Sequence, residues 1–170
     1  MLKLLGALCV MLGALCCGLR GVEGLRRRRD VLEELRASLV FLAEELSFRL
    51  TPLPQLLERL GRERKGPVGA FFRQVLAALE QDPEGGVRLG WRQGMTKHLT
   101  MLEEEERQVL VEVGRTLGRY DAATQQQVLL QAAQRLGAFR DGARDEVQRL
   151  GRVYVSVSAA GGAALVLMLV

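Results

Sequence analysis

The sequence predicts an all-α fold: an antiparallel six-helix bundle between two transmembrane helices. Three observations predict it. Charge-free apolar stretches occupy both ends of the 170-residue chain. Between them apolar residues recur every three to four positions, the period that lines one face of a helix. No convincing strand is legible beside them. The chain divides accordingly into an N-terminal transmembrane anchor at 1–22, a helical bundle domain at 23–152 and a C-terminal transmembrane helix at 153–170, the middle part having ordinary size for one core.

Leu4 to Leu19 carries no charge, and as a helix it is about 24 Å long against a hydrocarbon core of about 30 Å. Lys3 and Arg20 reach toward the headgroups, and Gly21 and Val22 extend the segment, so a slightly thinned bilayer is spanned. A cleaved secretory signal is the rival reading, but it would carry its positive charge before the apolar core, whereas here only Lys3 precedes it. Cys9, Cys16 and Cys17 all fall in this segment. They read as small apolar residues rather than as disulfide, zinc or lipid sites.

Arg26, Arg27, Arg28 and Arg29 follow, with Arg20 before them. A charged side chain at the bilayer centre costs about 2.5 to 3.5 kcal/mol on insertion scales, so these arginines hold the following residues on the cytoplasmic side. At the other end Val153 to Val170 is free of charge, with Arg149 and Arg152 on its inner flank and no basic residue beyond. Both ends give one topology, with the termini outside and the middle inside, and these seven arginines determine it. Ser158 with Gly162, Ala159 with Ala163, and Ala14 with Gly18 have the four-residue spacing of small side chains that lets membrane helices approach.

In the middle part, Val31, Leu32, Leu35, Leu39, Leu42, Leu46 and Leu50 mark a long amphipathic first helix. Thr51 and Pro52 read as an N-cap and a first-turn proline for a short second helix through Leu53, Leu56, Leu57 and Leu60, which Gly61 ends. Residues 61–66 read as a charged loop. Pro67 opens a third helix with Val68, Phe71, Phe72, Val75, Leu76 and Leu79 on its apolar face, closed by the turn at 82–86. Val87, Leu89, Trp91, Met95 and Leu99 suggest a fourth, weakened at Gly90 and Gly94 by about 1 kcal/mol each relative to alanine. Thr100 and Glu103 form a capping box for a fifth through Leu102, Val109, Leu110, Val113 and Leu117. Its acidic run at 103–106 lies where the helix dipole favours negative charge. Gly118 is the stop and Asp121 the next N-cap. The sixth helix, through Leu129, Ala133, Leu136, Ala143, Val147 and Leu150, holds no proline and is expected to run unbroken into the second span.

The net charge of +4 and pI near 9.3 do not point to nucleic acid, because the acidic residues are mixed among the arginines and the few aromatic residues sit in helical apolar patterns. No phosphate-binding glycine loop ending in Gly-Lys-Ser/Thr, no Gly-x-Ser-x-Gly elbow and no His-Glu-x-x-His helix is present. His98 is the one histidine and reads as a packing or surface residue rather than a ligand. Trp91 reads as core, with a partner anchor as the alternative. No catalytic, cofactor or metal site is expected.

Leu50-Thr51-Pro52-Leu53-Pro54 after a long first helix, and Leu117-Gly118-Arg119-Tyr120-Asp121 followed by Gln125 and Gln126, resemble the stage III sporulation protein AB family of endospore-forming bacteria. The layout of anchor, helical domain and terminal span matches along essentially the whole chain. That family in turn resembles the cytoplasmic six-helix domain of the type II secretion inner-membrane platform protein F; Leu39, Leu42, Thr51, Pro52, Leu53 and Leu60 fall at its first helix, turn and second helix. Gly90 before Trp91 departs from the better helix former expected there and leaves the length of the fourth helix open. The resemblance implies a non-enzymatic component of a secretion-like complex joining mother cell and forespore, in the outer forespore membrane with its bundle in the mother-cell cytoplasm. The partners it implies are other stage III sporulation proteins, including the cytoplasmic ATPase stage III sporulation protein AA, with membrane lipid and further copies of the chain, but no nucleic acid and no cofactor. Thr51, Pro52, Leu53, Leu117, Gly118, Asp121 and Gln125 are its structural or partner-facing positions. A membrane-anchored helical signalling or sensor protein is the alternative; its short outer tails leave little to bind an external ligand.

Overall fold

The computed structural model describes the backbone of residues 2–49, 51–118 and 121–169, and the side chains of 23–49, 51–118 and 121–149. In chain order it contains α1 (Leu2–Glu44), a π-helical turn (Glu45–Arg49), α2 (Leu53–Glu63), α3 (Gly66–Gln81), α4 (Gly86–His98), α5 (Glu104–Thr116) and α6 (Ala122–Leu169). No strand occurs among the described residues. Two compact units result: Met1–Arg29 with Asp141–Val170, and Asp30–Arg140.

In the first unit the backbone of both expected membrane anchors is helical, while their side chains, and those of Arg20 and Arg152, lie outside the described residues. Among the described residues no helix is long and apolar enough to cross a membrane. Arg26, Arg27 and Arg149 are exposed, Arg28 and Arg29 half-buried, and Arg27 pairs with Glu23 one turn away. The first amphipathic helix is not a separate element: α1 is continuous from Leu2. α6 is likewise unbroken through Gly137, Gly142 and Gly151, as expected.

The second unit is the bundle. Its core is the apolar face read from the sequence: Leu32, Leu35, Leu39 and Leu42 of α1, Leu56, Leu57 and Leu60 of α2, and Phe71, Phe72 and Val75 of α3 are all buried. They meet Trp91 and Met95 of α4, Leu110 and Val113 of α5, and Leu129 and Leu136 of α6. Leu89, expected on the inner face of α4, is instead exposed. Where the chain enters and leaves this unit, Arg140 of α6 donates to Glu33 of α1 at 2.6 Å.

The structure corrects two expectations about helix ends and adds to a third. Gly61 does not end α2, which continues to Glu63; a Cβ there would lie 2.8 Å from Cγ of Arg73, and the Gly61 carbonyl accepts from the Arg73 guanidinium. The residue admits α3 rather than stopping α2, so the charged loop shrinks to Arg64 and Lys65. The capping box of α5 lies three residues later than expected, on Glu103 and Glu106 instead of Thr100 and Glu103. There the Glu103 amide donates to Glu106 at 2.8 Å, while the Thr100 carbonyl accepts from Arg107. The glycines of α4, expected to weaken that helix, also have a packing role. Gly86, Gly90 and Gly94 are buried one turn apart along the helix, and a Cβ on each would collide with Ala78 or Phe71 of α3. Helix propensity is lost so that two helix backbones can close on each other.

Candidate functional site

The sequence motifs at 51–53 and 117–118 lie far apart in the chain, yet Leu53, Leu117 and Gly118 line one cleft of about 250 Å³. Pro54, Pro83 and Val87 add apolar walls, and Glu84 and Arg88 add charge. At about 1.5 Å per residue, Asp121 stands about 28 Å along α6 from Arg140, so the cleft is at the end of the bundle remote from where the chain enters and leaves it.

Local sequence places each wall. After α1 the backbone widens into the π turn, whose Glu45 is buried and surrounded by donors: the Thr51 hydroxyl at 3.0 Å, Arg49 at 3.2 Å and Arg59 at 3.8 Å. A buried carboxylate is tolerable only when paired in this way. Thr51 therefore does not cap α2. Pro52 precedes the helix without a side-chain cap, and its carbonyl accepts from the amides of Gln55 and Leu56 at 3.0 and 3.3 Å. Single π turns inside helices are frequent at functional positions, and this one leaves Phe48 78% exposed beside the cleft-forming segment.

On the opposite wall α5 ends where expected. Gly118 has a φ of +77°, the left-handed conformation that glycine adopts without a Cβ penalty. Asp121 then caps α6, its carboxylate accepting from the Thr124 amide at 3.0 Å and the Thr124 hydroxyl at 2.7 Å. Those bonds, the backbone one first, pull the Asp121 carboxyl below the ordinary aspartate value. Gln125 reaches back to accept from the Gly118 amide at 3.4 Å. Of the seven motif positions, three line the cleft and the other four hold its two corners in shape. The third wall is the α3–α4 turn, where the Asp82 carboxylate accepts from the Glu84 and Gly85 amides, each at 3.1 Å.

Behind the cleft, Trp91 is 1% exposed and packs edge-on against Phe71 and Phe72, with centroids 4.8 and 6.3 Å away. It is a packing residue, as the sequence suggested. His98, half-buried in the last turn of α4, has its pKa lowered by burial first and by Lys97 and Arg73 next. Among the described residues no group of three or more His, Cys, Asp or Glu could hold a metal ion. The sequence reading missed Glu45 and the glycine row of α4; four-residue spacing of small residues was the available signal for the row.

The family profile for stage III sporulation protein AB matches residues 3–170. The chain is 26% identical to "Stage III sporulation protein AB" of Bacillus subtilis (strain 168), over 99% of both chains. A solved structure, "Stage III sporulation protein AB (SpoIIIAB)", superimposes with a TM-score of 0.64 at 26% identity, covering 72% of this chain and 97% of that one. With the match extending over nearly its whole length, this chain belongs to the stage III sporulation protein AB family.

Proposed function

We propose that this protein is a non-enzymatic membrane component of a secretion-like complex connecting mother cell and forespore during endospore formation, a platform that docks the cytoplasmic ATPase stage III sporulation protein AA. One observation carries the reading: two segments separated by most of the bundle sequence meet in one cleft. That cleft is built from prolines, leucines and helix corners, which suits it to holding a protein surface. The arginines at 20, 26–29, 149 and 152 support placing the bundle in the mother-cell cytoplasm, with the chain in the outer forespore membrane.

Detergent extraction of sporulating cells and purification of the tagged full-length chain tests this. Recovery of stage III sporulation protein AA with it, reduced by Leu53→Asp or Leu117→Asp, is the expected result. If no other member of the complex is recovered with the wild-type chain, the platform role is wrong.

A further inference from the structure

Several arginines of the bundle are neutralised by nearby acids. Arg36 pairs with Glu33, Arg59 with Glu63, Arg62 with Glu58, and Arg135 of α6 with Glu112 of α5. Helix α4 departs from this pattern: it contains Arg88, Arg92 and Lys97 and no carboxylate. Across from it on α5, Arg115 has Glu112 one turn away, but that carboxylate is engaged by Arg135. Arg88, Arg92 and Arg115 rim one groove of about 550 Å³, in which Asp82 is the only acidic residue. Among the described residues none of the three guanidinium groups forms an ion pair, and all three side chains are exposed. The groove also presents apolar surface, from the exposed Leu89 and the half-buried Val111, above the buried Trp91 and Met95. Like charges one turn apart on a helix repel, and Asp82 is the one acidic side chain among the described residues that line the groove with them.

We propose that the α4–α5 groove docks an acidic helical segment of a protein partner, with carboxylates one turn apart and aliphatic side chains between them; this deepens the platform reading and takes its biological setting from it. Arg88 and Arg92 are one turn apart, about 6 Å along the axis, which matches carboxylates at the same spacing on an opposing helix. Arginine supplies the forked donors that carboxylates accept in pairs. The apolar surface contributes what a purely ionic site would lack, contact for the aliphatic side chains between the acids. A flat lipid surface would meet the arginines but leave that apolar surface uncovered. Nucleic acid would need a stacking surface, and the indole is buried. Arg88, Gly85 and Gly114 line this groove and the motif cleft alike, so the two form one continuous surface.

Trp91 is the one tryptophan of the chain, and it reports on the groove by its fluorescence. The full chain in neutral detergent is titrated with a synthetic helical peptide of glutamate and leucine, with the same peptide carrying glutamine for glutamate, and with vesicles of neutral or anionic phospholipid. A saturable emission change with the glutamate peptide is expected, weakened by salt and weakened about tenfold or more in Arg92→Glu or Arg88→Glu. The charge-matched control Arg62→Glu, on exposed α2 surface, should bind as the wild type does. Circular dichroism verifies that each variant is folded. Equal binding of the glutamine peptide, undiminished binding by both α4 variants, or a response to anionic vesicles alone would overturn the proposal. Partner recovery from cells is a separate readout: peptide binding by a chain that recovers no sporulation protein supports the groove while removing the platform reading.

Discussion

The indole nitrogen of Trp91 donates to the carbonyl oxygen of Leu110 at 2.7 Å, joining α4 to α5 inside the core. Directly beside it Gly114 leaves the ring its space, since a Cβ there would lie 2.5 Å from the indole. Trp91→Phe keeps an aromatic ring against Phe71 and removes the donor, so it should cost about 1 to 3 kcal/mol. Trp91→Ala also leaves a cavity and should cost about 3 to 5 kcal/mol. Urea unfolding of the full chain followed by circular dichroism measures both; equal losses would mean that the ring packing contributes nothing beyond the hydrogen bond.

Gly90→Ala should destabilise even though alanine is the better helix former. Its Cβ would sit 2.6 Å from Cβ of Ala78 and 3.0 Å from Cα of Val75, and overpacking of this kind costs about 1 to 3 kcal/mol beyond the roughly 1 kcal/mol that propensity returns. Gly142→Ala on α6 meets nothing within 4 Å and should stabilise by about 0.5 to 1 kcal/mol. Opposite signs for the two substitutions in thermal melts are the check.

The cap on α6 should make stability depend on acid in a definite direction. The Asp121 carboxyl is held below its ordinary value by its bonds to Thr124. Its contribution is therefore fully present above the unfolded aspartate range near 4 and is lost as pH falls through the lower folded value. Asp121→Ala should lower the melting temperature at neutral pH, with the difference from wild type shrinking in acid. Asp121→Asn, which caps without titrating, should stay close to wild type at neutral pH and become the more stable of the two in acid, where only the aspartate is protonated.

His98 acts on the other side of the titration range. Its folded pKa is lowered, mainly by burial, so the unfolded chain binds the proton more readily and stability rises with pH through the interval just below the ordinary histidine value of about 6.5. His98→Gln should flatten that slope between mildly acidic and neutral pH. An unchanged slope would assign the dependence to another group.

The topology reading predicts protection of the bundle in intact cells. With Cys9, Cys16 and Cys17 replaced by serine, a single cysteine at the exposed Gln127 should react with a membrane-impermeant maleimide only after lysis. Labelling of whole cells would place the bundle on the other face.

Much of the bundle was legible because its period is strong: the leucines of α1 and α2, the phenylalanines of α3 and the apolar face of α5 are buried as their spacing implies. The Gly118 stop and the Asp121 cap were legible because their chemistry is local, a glycine at positive φ and a carboxylate three residues from the amide it accepts from. The errors came where a distant part of the chain decides. Gly61 looked like a stop because Arg73, the residue it makes room for, is on another helix. Thr51 looked like a cap because the buried Glu45 that takes its hydroxyl hydrogen bond lies on the preceding π turn. For α5, Thr100 and Glu103 fit the capping pattern as well as Glu103 and Glu106 do, and only the actual helix start separates them. In the candidate site, the motif residues were legible singly; their convergence was not, since nothing local to 53 or 117 refers to the other.

The glycine row also bears on how α4 finds its alignment. A row with a repeat of four is nearly indifferent to sliding by one turn, about 6 Å, because one gap then replaces the next against α3. Such a row alone would permit two registers. The indole removes the ambiguity: a one-turn shift would put Met95 or Val87 opposite the Leu110 carbonyl and leave that oxygen without its donor. One bulky side chain thus serves as the detent on an otherwise smooth track, and the same detent fixes where the guanidinium groups on the outer side of the helix come to rest.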